Sequence, residues 1–579
     1  MINPLLMSDF PEPDVIRVGD TYYMLCTTKH FIPGGVILKS YDLMNWEIIS
    51  HLFDRLESTP RQTMQGEQSF YGHGMDGGCL RYHNGLFYAC FCSGDMNYAY
   101  LYTAEHAEGP WNVHRINQEI YGCSILFDDD GRVYIVYGYK NIYLQEMKPD
   151  LSDFLEGGLF KKILTSDEPA YMYYNGSHIH KINGRYYISV MNWPKKGNAL
   201  RTQYCFWSDT IDGEFTGGVV MCTDNGYNYQ GIAGGGFVDT PEGDWYSVLF
   251  QDRGAVGRMP VLVPVSFKNG APVFAGGKKF IPEFTVRSTR PDYMYEPVVT
   301  SDNFDYAKDD IGRYILKKQW QWNHEPADKL WWINDIGGFC IKTGKISTNL
   351  IQARNTLTQR CIQPYTDVSV ELNADSMKDG DCAGLCLLQG CYGYIGVTKE
   401  LNRYYLVVVT RSIDENSIAE VLPDYMPGTM QERMLLEGTV VKLRIKADFD
   451  DMVDTAQFFY EKDGEYVQVG GKHNLYYKVD HFTGCRVGLF NFATREIGGH
   501  AEFNRFRYRM SSADFLRIRY GRQSLTPKCS PKSLWSLTGM IGKRRILRQK
   551  CAGFLLRPSH RPSKITGSRM LIRMVSVRI

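Results

Sequence analysis

Apolar and polar residues alternate in five similar stretches of the first 250 residues. Each stretch runs from an apolar segment, through a tight turn at or beside a glycine, into a segment rich in aromatic residues. The five stretches are 14–25, 79–91, 124–137, 177–190 and 236–250. Alternation with a period of two on both sides of a polar turn is typical of a β-hairpin.

The hairpins recur at intervals of about 45 to 65 residues, which is the pattern of a repeat architecture. Each unit needs a neighbour to bury its two faces, and five such units predict a closed five-bladed β-propeller. The fold class expected for residues 1–290 is therefore all-β.

In a propeller, the residues that precede the innermost strands converge at the mouth of a central channel. We counted nine positions back from the turn residue of each hairpin. The positions reached are Glu12, Asp76, Gly122, Asn175 and Gly234. We expect these five to be geometrically equivalent around one pocket, although Gly122 and Gly234 could serve only to form turns.

Short alternating strands separated by turn signals continue through residues 302–510, where they predict a β-sandwich of the jelly-roll type. The segment 511–579 differs, since its strand periodicity is lost and it holds 16 Lys or Arg against one acidic residue, Asp514. Three interpretations compete for it: a disordered basic arm, a short helical appendage, or an extension without an evolved fold. Its many large apolar residues favour the last.

The charge balance excludes some classes of function. The chain has 65 basic and 64 acidic residues, and without 511–579 it has 49 basic and 63 acidic ones. An acidic body disfavours nucleic acid as a partner. The sequence has no signal-peptide pattern and no apolar run of membrane-spanning length, so no membrane partner and a cytoplasmic location are expected. Aromatic residues make up 13% of the chain, which suits surfaces that stack against sugar rings.

Several motifs resemble those of glycoside hydrolase family 43, the β-xylosidases and α-L-arabinofuranosidases. The motifs are FPEPDVIRVGDTYYM near the N-terminus, SILFDDDGRVYIVYG, GSHIHKINGRYYI, VDTPEGDWYSVLFQDRGAVGRMPVLVPV and QWQWNH. The resemblance spans about residues 1–510. It implies a propeller catalytic domain, followed by a concanavalin-like sandwich of the kind that caps the pocket in this family.

The resemblance also implies catalytic positions, and this chain departs from the family at three of them. An inverting hydrolase uses a carboxylate base to activate water and a protonated carboxylic acid to assist the leaving group. Glu12 holds the position of the general base, where the family has Asp. Asn175 holds the position of the general acid, and Gly122 that of the Asp that tunes the pKa of the acid.

The same motifs suggest residues that contact the sugar. Arg258 matches an arginine expected to hold sugar hydroxyls, although it could instead form a salt bridge that closes the propeller. His30 and Phe31 are candidate walls of the pocket, and His178 follows the general-acid position. Asp76 could hydrogen-bond a sugar or act as a relocated acid opposite Glu12.

Three functions stay open on the sequence alone. They are a glycosidase for xylo- or arabino-oligosaccharides with impaired turnover, a sugar-binding protein without catalysis, and a propeller that serves as a platform for other proteins. The chemistry requires no cofactor or metal, although relatives in the family suggest that a structural calcium is possible. Cys382, Cys386 and Cys391 lack the paired spacing and nearby histidine of a zinc site.

Overall fold

The computed structural model describes residues 3–510, except 198, 336, 413–425 and 477–482. The segment 511–579, for which an extension without an evolved fold is the favoured prediction, lies outside the described residues. The described part of the chain is almost entirely β-structure, with three short 3-10 helices at Ala275–Gly277, Asp328–Leu330 and Asp450–Met452. None of its helices has the length and apolar character needed to cross a membrane.

The first half of the chain forms a five-bladed propeller, as the hairpin repeats predict. Each blade is an antiparallel sheet of four strands. Blade one consists of β1 (Asp14–Val18), β2 (Thr21–Cys26), β4 (Gly34–Ser40) and β5 (Glu47–Phe53), with β3 (Phe31–Ile32) leaving the blade after β2. Blade two consists of β6 (Cys79–His83), β7 (Leu86–Cys92), β8 (Ala99–Ala104) and β9 (Asn112–Ile116).

The other three blades follow the same order. Blade three consists of β10 (Ser124–Phe127), β11 (Val133–Tyr137), β12 (Asn141–Met147) and β13 (Phe160–Thr165). Blade four consists of β14 (Ala170–Ile182), β15 (Arg185–Pro194), β16 (Thr202–Ser208) and β17 (Thr216–Met221). Blade five consists of β18 (Phe237–Asp239), β19 (Trp245–Asp252), β20 (Arg258–Lys268) and β21 (Ala271–Phe274).

Apolar side chains close the ring of blades. Residues of blade one such as Tyr22 and Met24 pack in one cluster with Val248 and Leu262 of blade five. Further apolar clusters fill the contacts between the consecutive blades. Because each blade buries both faces against its neighbours, the five inner strands are held at a fixed distance around the channel.

The second half of the chain forms a β-sandwich of two antiparallel sheets, also as expected. One sheet has the order β3-β22-β25-β34-β27-β28-β29-β30 and the other the order β23-β24-β35-β26-β31-β32-β33. The strands of the first sheet are β22 (Gln321–Asn323), β25 (Leu357–Arg360), β27 (Asp381–Leu388), β28 (Gly393–Glu400), β29 (Arg403–Thr410), β30 (Thr429–Leu436) and β34 (Arg486–Ala493). The strands of the second are β23 (Trp331–Ile333), β24 (Phe339–Lys342), β26 (Tyr365–Asn373), β31 (Val440–Asp448), β32 (Thr455–Lys462), β33 (Glu465–Asn474) and β35 (His500–Arg509).

Strand β3 joins the two domains, because it belongs to the propeller in sequence and to the sandwich in space. Ile32 pairs with Trp322 and Phe31 with Asn323 of β22. The connecting segment contacts both domains. The hydroxyl group of Tyr295 accepts a hydrogen bond from the amide of Tyr41 in the propeller, and the amide of Thr300 donates one of 2.8 Å to Gln359 Oε1 in the sandwich. Described residues of both domains lie in one compact unit, and the domain limits 1–290 and 302–510 stay predictions.

Candidate functional site

Four of the five predicted mouth positions line a single pocket at the propeller axis. The pocket has a volume of about 410 Å³ including its open end. Its lining residues are Glu12, Gly77, Gly78, Tyr121, Gly122, Cys123, Asn175, Gly176, Ser177, His178, Met191, Gly234 and Phe250. The fifth position, Asp76, is outside this lining but connects to it through Lys29, whose Nζ lies 2.9 Å from Asp76 Oδ1 and 4.0 Å from Glu12 Oε2.

Glu12 adopts a left-handed backbone conformation, with φ of 53°. Such a conformation is strained for a residue other than glycine and is often found at functional sites. One carboxylate oxygen, Oε1, accepts a hydrogen bond of 3.1 Å from Arg258. The other, Oε2, is buried and has no hydrogen-bond partner in the described part of the chain.

Gly77 makes room for the side chain of Glu12. A Cβ atom added at Gly77 would lie 2.7 Å from Glu12 Oε2 and 3.2 Å from Glu12 Cδ. Both distances are shorter than a normal van der Waals contact. The size of the side chain at position 12 is therefore linked to the absence of one at position 77.

Charged groups alternate in sign along a buried network beside the pocket. It begins with the Lys29 contacts to Asp76 and Glu12 and continues through Arg258, whose Nε lies 3.3 Å from Asp252 Oδ1. Arg201 ends the network, with NH2 2.8 Å from Asp252 Oδ2. Three acidic and three basic groups thus neutralise one another, which limits the cost of burying them.

The network moves the pKa values of its two mouth carboxyl groups in opposite directions. Burial acts to raise the pKa of Glu12, but the charges of Lys29, Arg258 and Arg201 outweigh it and hold this pKa below its ordinary value. For Asp76 burial prevails over the opposing charge of Lys29, and the pKa is raised. Glu12 is therefore ionised at neutral pH, whereas Asp76 binds a proton more readily than an ordinary aspartate.

Asn175 and the two glycines offer the pocket no titratable group. The side-chain amide of Asn175 donates a hydrogen bond of 2.6 Å to the carbonyl oxygen of Tyr173. Gly122 has φ of 56°, and a Cβ atom there would lie 3.2 Å from the amide nitrogen of Gly176. At Gly234 a Cβ atom would lie 2.4 Å from the ring of Phe250, so close packing explains this glycine.

His178 lines the pocket, and the buried carboxylate of Asp14 contacts its ring. Its Nδ1 lies 3.0 Å from Asp14 Oδ1, and Asp14 Oδ2 accepts hydrogen bonds from Arg81 and from the amide of Leu80. Despite its burial, the positive charge of Arg81 and the contact with His178 hold the pKa of Asp14 well below its ordinary value. Asp14 therefore fixes the orientation of the His178 ring.

The structure places His30 and Phe31 in the contact between propeller and sandwich, and neither lines the pocket. Phe31 is fully buried beneath the guanidinium group of Arg486, 4.3 Å from its ring centre. The Nδ1 atom of His30 accepts a hydrogen bond from the amide of Gly72, and its ring packs 4.5 Å from that of Tyr71. Phe31 belongs to β3, and the pairing of β3 with the sandwich accounts for its burial outside the pocket lining.

Arg258 contacts Glu12 and Asp252 as described, and its side chain is 2% exposed. The ion pair with Glu12, which precedes blade one, agrees with the interpretation of Arg258 as a salt bridge that closes the propeller, and the contact of Arg258 with sugar hydroxyls stays a prediction. Arg258 is not among the residues that line the pocket.

Sequence reasoning missed Lys29, Tyr121, Ser177 and Arg201. Tyr121 and Ser177 stand one and two residues from predicted mouth positions, so the spacing could have found them. The hydroxyl group of Ser177 is buried without a hydrogen-bond partner among the described residues, and it lines the pocket. Lys29 and Arg201 reach the site from connections that follow β2 and β15, for which the sequence gives no local signal.

No group of three or more His, Cys, Asp or Glu side chains suited to a metal ion occurs in the described ranges. The residues at the mouth instead offer hydroxyl, amide and carboxylate groups beside aromatic rings. This combination suits a neutral, hydroxyl-rich ligand.

Two family models match the chain. Residues 1–272 match the model described as glycosyl hydrolases family 43, and residues 308–509 match a β-xylosidase C-terminal concanavalin A-like domain. The two matched ranges correspond to the propeller and the sandwich.

Individual proteins are similar over most of the chain. A β-xylosidase of Formosa agariphila is 25% identical over 88% of this chain and 90% of its own length. A non-reducing end α-L-arabinofuranosidase of Bacteroides ovatus is 23% identical over 76% of this chain and 82% of its own. The solved structure of a bifunctional GH43-CE protein of Bacteroides eggerthii is 35% identical, with a TM-score of 0.79 over 88% of this chain. The chain spans 64% of the length of that bifunctional protein.

Proposed function

The chain belongs to glycosyl hydrolases family 43, and on that premise we propose that it binds xylose- or arabinose-containing oligosaccharides and hydrolyses them weakly or not at all. Enzymes of this family bind carbohydrate substrates and need no cofactor. Relatives named as β-xylosidases and arabinofuranosidases support the choice of sugar. The position and chemistry of the pocket support the binding.

One observation carries the proposal of weak hydrolysis. Among the described residues that line the pocket, Glu12 is the one that bears a carboxyl group. Inverting hydrolysis needs two, with the second protonated to assist the leaving group. Asn175 stands at the position of that acid and cannot supply a proton at neutral pH. The loss of general acid catalysis alone lowers the rate by about 10²- to 10⁴-fold.

Glu12 keeps the features that a general base requires. Its carboxylate is ionised at neutral pH, and Arg258 fixes one oxygen. The other oxygen has no hydrogen-bond partner among the described residues and can accept a hydrogen bond from a water molecule. It is one methylene longer than an aspartate, so the water that it activates would be displaced by about an ångström, which is enough to slow the reaction substantially.

Asp76 is the second candidate for the missing acid, because burial raises its pKa. Lys29 opposes this role, since its ammonium group forms an ion pair with Asp76 at 2.9 Å. This contact holds the Asp76 carboxyl group on Lys29, and Asp76 is not among the residues that line the pocket. We therefore place Asp76 among the residues that position Lys29 and Glu12.

Calorimetric titration with xylobiose and arabinobiose, combined with hydrolysis assays, tests the proposal. We expect binding without measurable cleavage of either disaccharide. Any residual activity should be greatest with dinitrophenyl glycosides, whose leaving group needs little protonation.

Two results would contradict the proposal. If neither disaccharide binds, the proposed sugar-binding function is wrong. Rapid cleavage of xylobiose, abolished in Asp76→Asn but not in the exposed control Asp130→Asn, would identify Asp76 as a relocated acid and the protein as an active hydrolase.

A further inference from the structure

The inner strands of blade four extend beyond the mouth of the propeller. β14 has 13 residues and β15 has 10, whereas the innermost strands of the other blades have between three and five. Residues 170–175 of β14 pair with Met191–Pro194 at the end of β15. Because Asn175 lines the pocket, the paired residues before it form a projection at the rim.

The projection and the neighbouring blade three carry a row of aromatic rings. Tyr121, which lines the pocket, lies 6.2 Å from Tyr139, and Tyr139 lies 6.0 Å from Tyr173. Tyr171 stands two residues before Tyr173 in β14, and its ring centre lies 5.5 Å from that of Trp193 in β15. We refer to Tyr121, Tyr139, Tyr173, Tyr171 and Trp193 as the aromatic row.

Three members of the row are exposed to a degree unusual for aromatic side chains. The exposed fractions are 36% for Tyr121, 42% for Tyr139 and 62% for Tyr171. Single exposed apolar residues are common on protein surfaces, but a contiguous set marks an interaction site. This set is continuous with the pocket, because Tyr121 lines it and the Asn175 amide donates to the carbonyl oxygen of Tyr173.

Two lysines lie along the row. Lys140 Nζ lies 5.2 Å from the ring centre of Tyr173, and Lys195 Nζ lies 5.3 Å from that of Tyr171. Neither ammonium group forms an ion pair with an acidic residue of the described ranges. Rings that offer apolar faces beside N–H donors match the two faces of a sugar, which presents C–H groups on one side and hydroxyl groups around its edge.

We propose that the aromatic row binds the further units of an oligosaccharide chain whose terminal unit occupies the pocket. This inference rests on the proposed sugar-binding function and adds that the ligand is a chain of several units. The pocket selects the end unit, and the row contacts the units that leave the mouth over blades three and four.

Chain-length dependence of affinity tests the inference. Titrations would compare β-1,4-linked xylo-oligosaccharides and α-1,5-linked arabino-oligosaccharides of two and six units, using the full chain. In the series that binds, we expect the hexasaccharide to bind about threefold to tenfold more tightly than the disaccharide, which corresponds to one or two ring contacts. The double variant Tyr139→Ala/Tyr171→Ala should abolish this difference, and its affinity for free xylose or arabinose, which occupies the pocket alone, should equal that of the unchanged protein.

Tyr82→Ala provides the matched control. Tyr82 is 42% exposed and lies at the hairpin end of β6, away from the mouth, so this variant should keep the chain-length dependence. Tyr171→Ala alone, at the most exposed member of the row, should reduce the dependence without affecting the melting temperature.

The possible failures are distinguishable. If disaccharides bind and the hexasaccharide binds no more tightly, the inference fails and the proposed function stands. If the double variant keeps the full dependence, the row is not the site of the further units. If no sugar binds at all, both the proposed function and the inference fail.

Discussion

At the residue scale, the pocket depends on compensations between neighbouring side chains. Glu12 is longer than the aspartate that the family resemblance implies, and Gly77 leaves the space that this length requires. The negative charge of Glu12 is balanced by Arg258 and Lys29. Asn175 and Gly122 keep the shape of the mouth without its acidic groups.

Replacement of Asn175 by Glu should restore part of the missing acid catalysis. The new carboxyl group would stand where the family places its general acid, and we expect cleavage of xylobiose to rise by about 10-fold to 100-fold, below the full contribution of acid catalysis. The gain should be smaller with dinitrophenyl xyloside. Steady-state kinetics on both substrates measure this difference.

Asn175→Gln is the control for that experiment, because glutamine has the size of glutamate without its proton. Equal gains in the two variants would show that shape, and not proton donation, limits the reaction. Equal gains on both substrates would lead to the same conclusion.

Replacement of Gly77 by Ala should displace the Glu12 carboxylate. The new Cβ would overlap Oε2, and we expect xylobiose affinity to fall about tenfold and unfolding free energy by about 1 kcal/mol, as for other overpacked sites. The double variant Glu12→Asp/Gly77→Ala has a shorter acid and should recover part of the lost affinity and part of the lost unfolding free energy. Calorimetric titration measures the affinity, and thermal melts measure the stability.

Gly218→Ala is the matched control for this series, since a Cβ atom at Gly218 meets nothing within 4 Å. Additive effects of the Glu12 and Gly77 substitutions would contradict the steric link between the two positions.

At the scale of elements, the decisive feature is the strand that changes domain. β3 leaves blade one after β2 and pairs with β22 of the sandwich. The loop that carries Lys29 towards Glu12 is therefore anchored by the sandwich. Close by, His324 Nε2 accepts a hydrogen bond of 2.8 Å from the amide of Phe70, which adds a second connection to the same region.

The propeller should not be stable on its own. A chain that ends at residue 290 would leave the backbone of β3 unpaired and expose Phe31, which is fully buried. We expect such a chain to aggregate or to melt well below a chain that ends at Met510. Size-exclusion chromatography and thermal melts of both chains check this, and a propeller that melts cooperatively at the same temperature would contradict it.

At the scale of the whole molecule, buried polar contacts fix the sandwich against the propeller near the pocket. Asp9, three residues before Glu12, accepts hydrogen bonds from the amides of Arg258 and Gly484. Asp454 of the sandwich accepts one of 2.8 Å from the amide of Ala255 in blade five. The turn that precedes Arg258 is therefore held by an acidic side chain from the other domain.

The contribution of Asp454 to stability should fall between about pH 4 and pH 7. Burial raises the pKa of Asp454 from 3.8 to about 7. Asp454 in the folded state thus keeps a proton that it has released in the unfolded state, so its contribution to the free energy of unfolding decreases as pH rises through this window. A difference of one pKa unit between the folded and unfolded states corresponds to about 1.4 kcal/mol. We therefore expect the free energy of unfolding of Asp454→Asn to exceed that of the unchanged protein by roughly 1 to 3 kcal/mol at pH 7.5.

Melting temperatures measured from pH 4 to pH 7.5 test this effect. The difference between Asp454→Asn and the unchanged protein should be near zero at pH 4 and grow with pH. Asp463→Asn, at an exposed hairpin turn, should show no such trend. A constant difference across the range would exclude titration of Asp454 as the cause.

The sequence by itself determined the architecture and the composition of the mouth. Alternation around five polar turns specified five hairpins, and hairpins that must bury both faces close into a ring. The count of nine residues from each turn then placed Glu12, Gly122, Asn175 and Gly234 around one pocket, because strands of equal rise reach equal heights.

Only the tertiary structure decided the charges and walls of the site. Lys29 and Arg201 come from connections between strands, whose paths follow contacts distant in sequence. His30 and Phe31 lie next to Lys29 in the chain, yet both are buried in the contact with the sandwich and neither lines the pocket. Periodicity describes which side of a strand a residue faces, whereas ion pairs and domain contacts depend on which distant segments meet, and this is settled only when the two domains pack together.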